Sequence, residues 1–117
     1  MDIKGLERAG IDYEEGLERF MGDADLYQMV LRSFLDDGCL ERARTAFDAR
    51  DADGLFSCAH ETKGSAGNAS MTDLYRAACA LVETLRAGRF VDDEVAPAFA
   101  DFTDAYGRAR SGISKAL

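Results

Sequence analysis

The chain has 117 residues, enough for one domain with a single modest core, and its 47% hydrophobic and 31% charged residues are the proportions of a globular protein. Fourteen basic residues against twenty-two acidic ones give a net charge of −8, which excludes the basic footprint that nucleic acids and anionic membrane surfaces demand and favours a monomer. No apolar run reaches the length of a membrane span, and Met1-Asp2-Ile3-Lys4 lacks the apolar core of a signal peptide, so a cytoplasmic location is expected.

The predicted elements are all helical. There is one proline, no hairpin signal and no sustained alternation. A short helix is predicted over 12–20. Asp12 caps it, Glu15 completes a capping-box pattern, and Leu17 and Phe20 form its apolar edge. Asp23 caps the first long helix, predicted over 23–50. Its stripe is Leu26, Tyr27, Val30, Leu31, Phe34 and Leu35, continued by Leu40, Ala43 and Phe47. Gly38 weakens its middle by up to about 1 kcal/mol relative to alanine, which admits a bend or a break.

The second bundle helix is predicted over 53–68, with Asp53 as its cap and Asn68 as a left-handed terminator. Leu55, Ala59, Thr62, Ala66 and Ala69 recur at helical spacing and make its buried seam. The third, over 71–87, repeats the pattern with Leu74, Ala78, Leu81 and Leu85. The fourth, over 93–115, places Pro97 in its first turn, where a missing N–H costs nothing. Its stripe is Val95, Phe99, Phe102, Tyr106, Ala109 and Ile113. Short connections make neighbours antiparallel. The expected fold is therefore an all-α, up-down-up-down four-helix bundle with a short N-terminal helix packed against it, in one domain over 1–117.

Cys39, Cys58 and Cys79 are too few and too scattered for a disulfide framework or a zinc site. Cys58 and Cys79 fall among apolar helical positions and read as small buried hydrophobes.

The chemistry concentrates in Ala59-His60-Glu61-Thr62-Lys63-Gly64-Ser65-Ala66-Gly67-Asn68. A lone histidine on a helix is more often structural than functional, so geometry decides. At 100° per residue, His60, the chain's one histidine, lies roughly 140° from the centre of the seam. His60, Lys63, Gly64 and Gly67 sit at i, i+3, i+4 and i+7 and form one outward strip. Each glycine costs roughly 1 kcal/mol against alanine inside a helix, so two on one face require a reason. Close packing of two helices is one. Because the strip points away from the predicted core, room for something large beside His60 is the better one. A neutral imidazole is a nucleophile available near neutral pH, and a lysine one turn away suits a phosphoryl group.

This segment resembles the signature of the histidine phosphotransfer (HPt) domains of multistep two-component phosphorelays. The resemblance continues through Gly10-Ile11-Asp12, Leu17-Glu18-Arg19-Phe20, Gly22-Asp23 and Leu26-Tyr27, and through Leu74, Leu81 and Glu83. It implies that His60 is phosphorylated at its solvent-facing ring nitrogen, that Lys63 holds the phosphoryl oxygens, and that Gly64 and Gly67 leave room for a docking partner. It implies a phosphocarrier without ATP binding or kinase activity of its own. The implied partners are the receiver domains of a hybrid sensor histidine kinase and of a response regulator. No cofactor of its own is expected, with magnesium held by the partner receiver. Two residues depart from the family's pattern. Thr62 replaces a larger apolar residue on the seam, where its hydroxyl could bond back to the carbonyl of Cys58. Ser70 stands where glycine is common, which puts the following turn in question.

Three other readings stay open at this stage. A bundle of the same fold could dock partners without accepting phosphate. A di-iron bundle needs inward Glu-x-x-His pairs, and here Ser57 precedes the one histidine at that spacing. A domain of this kind could also be a piece of a larger kinase. The sequence has no phosphate-binding nucleotide loop, because Lys63-Gly64-Ser65 lacks the glycines that would precede it.

Overall fold

Aspartates set the starts of the first three helices. In the computed structural model, which describes residues 1–117, Asp2 caps α1 (Ile3–Arg8), Asp12 caps α2 (Tyr13–Arg19) and Asp23 caps α3 (Ala24–Ser33). Each carboxylate accepts the N–H three residues on, at 2.9–3.1 Å. Periodicity gives no sign of α1, because six residues are too few to display a period. The capping box of α2 is only half made. Asp12 accepts from Glu15, but the Asp12 N–H donates to the carbonyl of Ser70 (2.9 Å) instead of to the Glu15 carboxylate.

The long helix expected over 23–50 is two helices. After α3 the chain tightens into a 3-10 turn (Phe34–Asp36), Asp37 becomes extended at ψ 122°, and α4 (Cys39–Asp48) starts afresh. Gly38 marks the break. Two tertiary bonds hold it open, the Asp37 carbonyl accepting from the Arg110 guanidinium (3.1 Å) and the Tyr106 hydroxyl (3.4 Å), and one local bond adds to them, the Asp37 carboxylate accepting the Cys39 N–H (2.8 Å).

α5 (Ala52–Asn68) is capped by Asp51, which accepts from Gly54, so Asp53 lies in the first turn and is not the cap. Asn68 stays helical. The left-handed residue that ends α5 is Ser70, at φ +55°. α6 spans Thr72–Leu85, two residues shorter at its end than expected, and begins without a side-chain cap. α7 spans Asp92–Ala116. It starts early enough that Pro97 lies in the second turn rather than the first.

α5 packs between α4 and α6, and α6 packs between α5 and α7. Phe47 stacks on Phe99 at 4.2 Å and closes α4 onto α7. The seam expected for α5 is buried throughout, from Leu55 to Ala69, and it faces Leu74, Ala78, Leu81 and Leu85 of α6, buried in turn. Burying a large aliphatic or aromatic side chain is worth about 1.5–3 kcal/mol, so these seams carry the bundle. The N-terminal helices cover it at one end. α1 lies along α7, where a Cβ on Gly112 would overlap Ala9. The fully buried Tyr27 donates to the Ala69 carbonyl (2.7 Å), and Gly16 leaves space for its ring. These contacts fix the α5–α6 turn against α2 and α3. No helix is long and apolar enough to cross a membrane.

Thr62 is buried on the seam, as read, but its hydroxyl does not bond to the Cys58 carbonyl. That carbonyl accepts from the Cys39 thiol (3.6 Å), and Thr62 Oγ1 has no partner. Burial pushes the Cys39 thiol up to about 11 and also raises Cys58, so both stay protonated hydrophobes. Cys79 is only half-buried, on the side of α6 turned from the core.

Candidate functional site

The burial of Leu55, Ala59, Thr62 and Ala66 fixes what α5 turns outward. His60 and Gly64 are exposed, and Lys63 and Gly67 are half-buried at the edge of the same strip. His60 stacks on Phe56 one turn earlier, with ring centroids 5.9 Å apart and planes at 26°. That contact restrains the imidazole from one side. Neither ring nitrogen of His60 nor the ammonium of Lys63 makes a hydrogen bond within the chain. Lys63 also makes no ion pair, whereas the neighbouring Glu61 pairs with Arg42 at 3.5 Å. A free cation and an unsatisfied nucleophile therefore share one face.

The two glycines differ. A Cβ added to Gly64 would meet nothing within 4 Å, so no helix of this chain requires that position to be small. A Cβ on Gly67 would lie 3.2 Å from the Tyr75 ring. Gly67, read as a docking position, is thus also a packing position between α5 and α6.

An open concavity of about 510 Å³ runs from His60 along the strip to the α5–α6 turn. His60, Lys63, Gly64 and Gly67 form its floor, Tyr75 stands on the α6 side, and Arg19 and Glu15 of α2 close the far end. Sequence reasoning missed Phe56, Tyr75 and Arg19. Phe56 was recoverable, since i−4 from His60 lies on the same strip. Tyr75 and Arg19 belong to other helices, and only packing brings them here.

The arrangement can present a nucleophilic nitrogen to an electrophile arriving from solvent, with one ammonium beside it and bare backbone where the visitor must sit. Comparison with known proteins bears on this geometry. The model of the Hpt domain family matches residues 25–112, which includes the whole strip. No curated protein matches the sequence. Among solved structures, the HPT domain of an Hpt sensor hybrid histidine kinase from Shewanella superimposes with a TM-score of 0.84 at 18% identity, covering 93% of this chain and 94% of that one. At that identity the likeness is one of fold.

Proposed function

The chain belongs to the Hpt domain family, the histidine phosphotransfer modules of two-component signalling, and from that premise we propose that His60 is its phosphoacceptor. In this reading the protein shuttles a phosphoryl group between the receiver domain of a hybrid sensor kinase and that of a response regulator. A lone pair on a neutral His60 ring nitrogen attacks the phosphorus of a receiver's aspartyl phosphate. The P–N bond forms as the P–O bond to the carboxylate breaks, and the bonding pair leaves with the aspartate. In the onward step a second aspartate attacks the same phosphorus, and the P–N pair returns to the ring. Lys63 supports the charge on the phosphoryl oxygens, and Gly64 leaves the approach clear. Magnesium is assigned to the receiver's carboxylates, and the work of this chain is to present, orient and screen.

The observation that carries the reading is the exposed, unpartnered imidazole beside an unpaired lysine and an open glycine. Incubation with phosphorylated receiver domains tests it. Acid-labile label should appear on the protein and be abolished by His60→Gln, with the helical circular dichroism intact. Label that survives the substitution overturns the assignment. Lys63→Ala should slow transfer or shorten the phosphohistidine lifetime with little change in melting temperature, since a charge-assisted hydrogen bond is worth about 1.5–3 kcal/mol. An unchanged rate and lifetime would remove Lys63 from the site.

A further inference from the structure

Arg19 is the cation at the far end of the groove. It comes from α2, outside the bundle, yet it lines the same concavity as His60 and Lys63. Its Nε donates to Glu15 Oε1 (3.3 Å), and the same oxygen accepts from the Ser70 hydroxyl (2.8 Å). Ser70 is buried and left-handed at the α5–α6 turn, and its carbonyl accepts the Asp12 N–H. The turn therefore positions Glu15, and Glu15 positions the guanidinium. A glycine at position 70 would provide the turn and not the hydroxyl. With Nε engaged, the two terminal nitrogens of Arg19 have no partner, and its side chain is half-exposed.

A floor of seven residues separates the level of His60 from that of Gly67, roughly 10 Å along the helix. Arg19 is anchored through Glu15 to Ser70, three residues further along than Gly67, and so belongs to the end of the groove away from His60. It is placed to meet the body of a partner rather than the phosphoryl group. The chain as a whole carries −8, which repels an anionic visitor, whereas the groove holds two cations, Lys63 and Arg19, against one carboxylate, Glu15. A partner that delivers an acyl phosphate from a carboxylate centre brings acidic side chains toward this groove, and Arg19 offers the guanidinium N–H groups that Glu15 leaves free.

We propose that Arg19, held by the Ser70–Glu15 pair, is a docking cation for a carboxylate-bearing surface of the incoming receiver domain, and so sets how tightly receivers bind rather than how fast phosphorus moves. The inference rests on the phosphocarrier reading above. The test is transfer from a phosphorylated receiver over a range of receiver concentrations, for the wild type, Arg19→Ala and Arg19→Lys. Arg19→Ala should raise the half-saturating receiver concentration roughly three- to tenfold at low salt, with the difference shrinking as salt rises. The rate at saturation and the phosphohistidine lifetime should not move, nor should the melting temperature. Arg19→Lys, which keeps the charge, should recover most of the loss. An Arg19→Ala protein that saturates at the wild-type concentration, or that loses only its saturated rate, overturns the docking role while leaving His60 as acceptor. A wild-type protein that no receiver labels overturns the phosphocarrier reading and this inference with it.

Discussion

At the scale of single residues, Gly64 and Gly67 look equivalent along the sequence and are not. Both lie on the His60 strip, and both cost helix stability relative to alanine. The space beside Gly64 is empty, whereas the Tyr75 ring lies against Gly67. Gly64→Ala should therefore stabilise by roughly 0.4–1 kcal/mol through the reduced freedom of the unfolded chain. Gly67→Ala should gain less, because the half-exposed Tyr75 must shift by a few tenths of an ångström to admit the methyl group. Melting curves of the two variants decide the order. Gly64→Leu should stay folded and block transfer from a receiver. A folded Gly64→Leu protein with a normal transfer rate would show that no partner uses that space. Gly64 was legible as an outward position from periodicity alone. The packing contact of Gly67 was not, since it depends on a residue of α6.

At the scale of elements, the caps and breaks show which local signals suffice. Asp12 and Asp23 cap as read, because a side chain three residues from its N–H partner needs no help from the rest of the fold. Glu15 does not complete its box, because Ser70 competes for it from across the molecule. The break between α3 and α4 has a local permissive cause in Gly38 and a tertiary enforcing cause in Arg110, which reaches Asp37 and Glu41 and lies over the Tyr106 ring. Pro97 is the counterpart on α7. Six residues into the helix, it deprives the Asp93 carbonyl of a donor. Its side chain is exposed, so nothing in the core depends on it. Pro97→Ala should stabilise by about 1–3 kcal/mol, read as a higher urea midpoint at unchanged slope. No gain would mean that the first turn of α7 frays and that the helix effectively starts at the proline.

At the scale of the whole molecule, two buried tyrosines tie the helices together at opposite places. Tyr27 donates to Ala69 at the α5–α6 turn, and Tyr106 donates to Asp37 at the α3–α4 break. Burial, and secondarily the charges of Asp12 near Tyr27 and Asp37 near Tyr106, pushes both phenols well above their ordinary range. Burial moves the Cys39 thiol in the same direction. The folded state thus holds these protons more tightly than the unfolded chain does. The resulting stability is complete below the ordinary thiol and phenol values and is lost as pH rises above about 9–10. Melting temperature should fall through that alkaline range. Tyr27→Phe and Tyr106→Phe should each flatten the fall while lowering stability near neutral pH by about 0.5–1.5 kcal/mol for the lost hydrogen bond. Alkaline slopes identical to the wild type would show that neither phenol is protected.

The sequence by itself determined the helical class, the seams of α5 and α6, and the outward placement of His60, Lys63 and Gly64. Those follow from the 3.6-residue period, which assigns each residue of a long helix to a face whatever lies opposite. It could not determine α1, which is too short to show a period, or that 23–50 is two helices, or that Ser70 rather than Asn68 turns left-handed. The last two depend on hydrogen bonds or packed rings supplied from a distant part of the chain. The groove was decided in the same way. Periodicity drew its floor along α5, and only tertiary packing of α2 and α6 supplied Arg19 and Tyr75 as its walls, because the register between two helices is written in neither of them alone.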